Sequence, residues 1–208
     1  MLHDDARVLA ARADMARLLS ACFCEPTRAL ADEQVFAALA PAANAIDPAL
    51  AAQVEPLGAA FDADDLQALR VDYTRLFLGP EGALAHPYGS VWLGDTQSLV
   101  QESTLAVGAL YEAHGFALAD DFSDLPDHVA VELEFLYTQL FREAVARRDG
   151  QTEQLIAARA ARRALLDAHL GRWMPPFAAA IERGAGTTFY RALAGTARAF
   201  IAGEAARN

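Results

Sequence analysis

Lysine is absent from this 208-residue chain; all 17 of its basic residues are arginine. Schiff-base chemistry on the protein is thereby excluded, because it needs a lysine amine. Cysteine is scarce. Cys22 and Cys24 sit two apart in an apolar helical pattern, where side chains diverge and do not readily bridge, so both are read as packed thiols of a reduced, cytoplasmic protein. No stretch of eighteen apolar residues offers a membrane span. The start, Met1-Leu2-His3-Asp4-Asp5, lacks the basic-then-apolar order of an export leader, so none is expected. Neither a Gly-x-Ser-x-Gly elbow nor a Gly-x-x-x-x-Gly-Lys-Ser/Thr phosphate loop occurs, which removes the usual signatures of a serine hydrolase and of a nucleotide site.

Positive charge is also in short supply. The formal charge is −11, from 28 acids against the arginines, and a binder of the phosphate backbone needs a basic stripe instead. Residues 1–141 hold 22 acids and 6 arginines, whereas residues 142–208 hold 6 acids and 11 arginines. The acidic part suits attraction of a cationic partner, and equally plain solubility.

Alanine makes up about a quarter of the chain and β-branched residues are few, so helix is the default state. The spacing predicts helices over about 5–23, ended by Pro26, and over about 29–40, stopped before Pro41. Another begins at Asp47-Pro48. A fourth, capped by Asp62 or Asp64, carries Leu66, Leu69, Tyr73, Leu76 and Phe77. Asp95 is expected to cap a helix over about 96–114 with Gly115 as its stop, and Asp124 to cap one with Pro126 in its first turn, ending at Gly150. A helix over about 151–170, a corner at Trp173-Met174-Pro175-Pro176, a short helix near 176–183 and a last one over about 188–203 complete the chain. The expected fold is an all-α, single-domain bundle over 1–208, of about eight to nine helices, with a long aromatic-containing loop near residues 79–94.

That loop is the first place to look for a site, since long loops in compact domains are generally functional or disordered and this one carries Tyr88, Val91, Trp92 and Leu93. Asp127, His128 and Glu132 form the one dense polar setting around a histidine, with His128 and Glu132 one helical turn apart. They admit a metal-dependent hydrolase, but two ligands are no coordination sphere, and a hydrogen-bonded histidine at a helix start is the stronger reading. No catalytic or metal residue is assigned.

Three stretches stand out in order: Tyr73-Thr-Arg-Leu76-Phe77-Leu-Gly79-Pro80, Pro87-Tyr88-Gly-Ser90, and Pro126-Asp127-His128 running into Glu132-Leu-Glu-Phe-Leu136. Together this set resembles the TorD/DmsD family of redox-enzyme maturation chaperones, strongly over about Tyr73 to Leu140. Gly89 departs from it, since many relatives carry an acid there. The resemblance implies a cytoplasmic, all-helical chaperone, not an enzyme. It would bind the twin-arginine signal peptide and the apo form of a molybdoenzyme catalytic subunit, assist cofactor insertion and prevent premature export. The implied peptide-binding positions are Tyr73, Leu76, Phe77, Pro87, Tyr88, Pro126, Asp127 and His128. The client, not this chain, is expected to carry the molybdenum cofactor; the chain is expected to be a monomer or a helix-swapped dimer. A structural accessory subunit of a redox complex is the remaining alternative.

The residue types suit that task. A leader with two guanidinium groups and an apolar stretch needs an apolar groove with carboxylates at one end. Leu76, Phe77, Tyr88 and Trp92 are expected to line the groove, and Asp127 with Asp120, Asp121 and Asp124 to supply the charge.

Overall fold

Alanine-rich, β-branch-poor sequence folds as helix throughout the computed structural model, which describes residues 6–63, 65–79, 82–94, 99–118 and 124–207. In chain order come α1 (Ala6–Cys22), α2 (Ala29–Asp32), α3 (Val35–Ile46), α4 (Pro48–Ala63) and α5 (Leu66–Tyr73), which runs on into a π turn over Thr74–Leu78. Then follow α6 (Gly89–Leu93), α7 (Glu102–Ala113), α8 (Val129–Arg148), α9 (Thr152–Ala168), α10 (Leu170–Gly184) and α11 (Thr188–Ala206). The described residues thus hold eleven α-helices rather than eight to nine. Two of the additions, α2 and α6, are too short to show a periodicity.

Helix α8 is the central element, with α1 laid along one side and α9 along another. α3 bridges α1 and α4, and α11 packs on α4 and α10. Buried apolar side chains form one cluster that runs from Leu9 in α1 to Ile201 in α11. Its middle is aromatic: Phe77 meets Phe23, Phe177, Tyr73 and Tyr190 at ring distances of 5.2 to 6.4 Å.

Several helix boundaries differ from the periodic reading, and tertiary burial explains them. Pro41 lies inside α3 and Pro175-Pro176 inside α10. An interior proline costs about 3 kcal/mol, but α3 buries Leu39, Ala42 and Ala43, and α10 buries Trp173, Met174 and Phe177 completely, which outweighs the lost bonds. The bend expected at Trp173–Pro176 falls instead at His169, where the backbone turns at φ −129°, ψ −105°. Asp65 caps α5 by accepting from the Gln67 N–H; of the two expected caps, Asp62 falls within α4 and Asp64 lies outside the described residues. α7 begins at Glu102, with the Gln101 N–H on Thr104 Oγ1; the expected Asp95 cap lies outside the described residues. Gly115 and Gly150, at φ +58° and +68°, end α7 and α8 as expected.

Two buried polar clusters were not legible in the sequence. Asp72 accepts from the N–H groups of Gly186 and Thr187, the Thr187 hydroxyl and Arg75, which pins α5 to the start of α11. Burial alone would raise the Asp72 pKa; these bonds outweigh it and hold the carboxyl below its ordinary value. Arg12 and Glu204 form a two-bond ion pair at 2.7 Å, and Arg162 and Glu143 extend it, so that α1, α8, α9 and α11 meet on charge inside the protein.

Candidate functional site

The start of α8 is built on a tight turn, closed by the His128 N–H on Leu125 O, with the Tyr111 hydroxyl holding Pro126 O at 2.9 Å. His128 itself, not Asp124, is the N-cap: its Nδ1 accepts from the Ala130 N–H at 3.2 Å. The imidazole proton of the neutral ring therefore sits on Nε2. Pro126 lies in the preceding turn rather than in the helix.

Onto this turn the Pro87–Ser90 segment is laid antiparallel. Gly89 N–H donates to Asp127 O and Val129 N–H to Pro87 O, each at 2.8 Å, which makes Tyr88 and His128 an isolated β-bridge. Asp127 Oδ2 accepts from the Ser90 N–H at the beginning of α6 and from the Thr104 hydroxyl on α7. At Gly89 the approach is close: a Cβ there would lie 3.0 Å from Trp173 Nε1 and 3.1 Å from Glu132 Oε1, so these side chains would have to give by a few tenths of an ångström. An acidic residue at this position would need Trp173 and Glu132 to move apart.

Above the bridge lies a more open surface. The Tyr88 ring stands edge-on to His128 at 5.3 Å, and its hydroxyl donates to Asp124 Oδ1 at 2.7 Å. Asp124, 37% exposed at its side chain, also approaches His128 Nε2 to 3.9 Å. Burial lowers the His128 pKa more than the Asp124 and Asp127 charges raise it, so the ring is neutral at pH 7 and the contact is no true ion pair. Burial, then the charges of Cys24, Asp124 and Glu25, pushes Tyr73 up to about 12. Burial, then Glu134 and Asp124, raises the Cys24 thiol. Tyr73, Tyr88, Cys24, Glu25, Asp124 and Glu134 thus form one neighbourhood. Glu25 has Arg70 at 3.7 Å and Glu134 feels Arg17, whereas Asp124 is met by a phenol and a neutral imidazole.

Beside it runs an apolar groove of about 530 Å³, lined among others by Val71, Thr74, Gly79 and Leu84. Arg70 belongs to this groove and also reaches Pro26 O, so the groove rim adjoins the acidic neighbourhood. Val71 and Leu84 are exposed here.

Of the positions implied by the resemblance, Tyr88, Pro126 and His128 are brought together, with Asp127 and Pro87 as the backbone that joins them. Tyr73 reaches the same neighbourhood from α5. Leu76 and Phe77 differ from expectation: at 0% and 3% exposure they are core beneath the groove, not its lining. Trp92 packs on Phe177 and donates to His86 O. Asp120 and Asp121 lie outside the described residues. Cys24 is not core, because α1 ends two residues before it: the residue is exposed while its sulfur, turned back on Ser20 O, is partly screened from water. Glu132 and Ser90 stand out in the sequence as motif residues, but their supporting role here was not read, and Thr104 was missed altogether; a polar residue in an apolar helical stripe is the signal that marks it. No group of three or more His, Cys, Asp and Glu able to hold a metal ion occurs among the described residues, and none of the described helices is long and apolar enough to cross a membrane.

Residues 43–179 match the family described as nitrate reductase delta subunit. The chain is 29% identical over 138 residues to the chaperone protein TorD of Photobacterium profundum, covering 66% of this chain and 62% of that protein. With the Tat proofreading chaperone DmsD of Salmonella typhi it shares 30% over 155 residues, covering 74% and 69%. A selenate reductase assembly chaperone protein of Thauera selenatis is 39% identical over 72 residues, or 35% of this chain and 36% of that one. The fold is similar to the crystal structure of a protein assigned to redox enzyme maturation in Archaeoglobus fulgidus, at a TM-score of 0.55 and 23% identity over 91% and 93% of the two chains. These relatives lend no support to the hydrolase or the accessory-subunit reading.

Proposed function

The chain belongs to the TorD/DmsD family of redox-enzyme maturation chaperones, and from that premise we propose that it binds the twin-arginine signal peptide of an apo-molybdoenzyme catalytic subunit in the cytoplasm. It holds that client until the molybdenum cofactor, which the client and not this chain carries, has been inserted, and so delays export. It performs no reaction of its own. In this reading residues 1–208 act as one folding unit, as a monomer or a helix-swapped dimer.

The observation that carries the reading is the partly exposed Asp124 carboxylate, set against Tyr88 and His128 in an acidic neighbourhood that a largely apolar groove adjoins through the Arg70–Glu25 pair. A guanidinium gains charge-assisted bonds from the carboxylate and stacking from the Tyr88 ring. Arg70 and Arg75 line the groove and disfavour the leader's arginines there, which sets the direction of the peptide: arginines on the acidic side, apolar stretch in the groove. Each leucine-sized side chain buried contributes about 1.5 to 3 kcal/mol before ordering costs, against about 1 kcal/mol or less for an exposed ion pair. Apolar contact therefore sets affinity, and the acids set orientation and association rate.

Calorimetry with a synthetic leader tests this. Serines in place of the leader's apolar stretch are expected to weaken binding more than lysines in place of its two arginines, and Asp124→Asn to weaken it with reduced salt dependence. No binding of the intact leader, or the reverse ranking, refutes the proposal. Capture of the precursor enzyme on the purified chain identifies the client, and light scattering gives the oligomeric state.

A further inference from the structure

Beneath the bridge lies a polar cluster that the signal-peptide reading does not use. Glu132 is fully buried; its Oε2 accepts from the Trp173 indole N–H at 3.1 Å, while its Oε1 has no partner among the described residues. Asp127, 1% exposed, likewise has both donors on Oδ2 and none on Oδ1, and the buried Ser90 hydroxyl is unpartnered too. With both carboxyls ionised, Glu132 Oε1 and Asp127 Oδ1 are two buried acceptors without donors, which is costly. A single proton on Glu132 removes one of these two buried charges, in a site where the side-chain bond to this carboxyl is the Trp173 indole N–H on Oε2.

We propose that Glu132 is a neutral carboxylic acid at physiological pH and acts as a positioning residue, its uncharged carboxyl and the Trp173 indole bonded to it packed close beneath Gly89 so that the Pro87–Ser90 segment stays seated on Asp127-His128. The surroundings agree. The groups that act on Glu132 are burial first, then the Trp173 indole, the Asp127 charge and the Leu170 N–H; burial and Asp127 disfavour its ionised form and the two bonds do not overcome them. No guanidinium is among these groups. Tyr111 faces the pair from α7, His128 from the turn before α8 and His169 from the start of α10; burial favours the neutral form of each, and Arg172 acts on His169 rather than on Glu132. Gly89 closes the cluster from above, since a Cβ there would press on Glu132 Oε1 and Trp173 together.

The role in peptide binding rests on the proposed function, but the protonation state does not, and the test separates them. Infrared difference spectra of the whole protein, wild type minus Glu132→Gln, are expected to show the carbonyl stretch of a protonated carboxyl at neutral pH. Its absence overturns the proposal whether or not any leader binds. In urea denaturation, the Glu132 contribution to stability, read as wild type minus Glu132→Gln, is expected to fall as pH rises from the ordinary carboxylate range, because the native state retains a proton that the unfolded chain releases. Glu132→Gln, which mimics the neutral acid, lacks this contribution; two pH profiles of the same slope overturn the proposal. For the leader, Glu132→Gln is expected to bind as wild type does at neutral pH, and Glu132→Ala to bind about tenfold or more weakly. A glutamine variant as weak as the alanine one refutes the positioning role.

Discussion

Tyr88 and His128 face each other across an antiparallel bridge, their rings 5.3 Å apart and inclined at 69°. Two loops 36 residues apart in the chain are thereby made into one surface, since Tyr88 on the first also donates to Asp124 on the second. The bridge carries both loops' functional side chains at one height above α8. Anything that loosens it moves ring and carboxylate together.

Asp127 is the first point at which to loosen it. Asp127→Ala strands the Ser90 N–H and the Thr104 hydroxyl, and each buried donor left without a partner costs about 1 to 3 kcal/mol. The urea midpoint is expected to fall and leader affinity to fall with it. Asp127→Asn retains an acceptor and loses less. An alanine variant with wild-type stability contradicts the assigned role.

His128 gives the site a response to acid. Burial lowers its pKa in the folded protein below the 6.5 of a free imidazole, so the unfolded chain takes up a proton first. Stability attributable to this group is complete above pH 6.5 and is lost as pH falls through the lowered value. His128→Asn keeps a capping acceptor, where loss of a cap costs about 1 kcal/mol, and is expected to flatten the profile below that pH. Thermal unfolding across the acid range measures both.

Phe77 and Asp124 separate packing from recognition. Phe77→Ala removes a ring from the aromatic core and is expected to cost about 3 to 5 kcal/mol of stability, with the remaining folded protein still binding the leader. Asp124→Asn preserves an acceptor for the Tyr88 hydroxyl and is expected to leave stability within about 0.5 kcal/mol while slowing association with the leader at low salt. Stopped-flow association beside chemical denaturation distinguishes the two.

The Arg12–Glu204 pair, 192 residues apart in sequence, ties the first helix to the last. Glu204→Ala leaves a buried guanidinium short of its carboxylate and is expected to cost about 3 to 5 kcal/mol. Replacing both with apolar residues of similar volume, as in Arg12→Met with Glu204→Leu, is expected to cost less. A double variant as unstable as the single one contradicts this account.

How far the chain could be read in advance depended on the range of the forces involved. The helices α1, α8 and α11 were legible because apolar side chains repeat at a spacing that a single turn enforces, and Gly115 and Gly150 marked the ends of α7 and α8 because few other residues enter the left-handed region. The three motifs in order were legible as residue types. Pro41 and Pro175-Pro176 misled, since a local cost was visible and the burial that outweighs it was not.

Sequence by itself determined that this protein is helical and acidic and that Tyr88, Asp127 and His128 belong to special segments, because composition, charge and local periodicity are properties of neighbouring residues. Tertiary structure alone decided which of them are exposed. Leu76 and Phe77 went into the core, Asp127 and Glu132 under the bridge, and Asp124 to the surface, because burial and hydrogen-bond pairing are settled between segments that only the folded chain brings within a few ångströms.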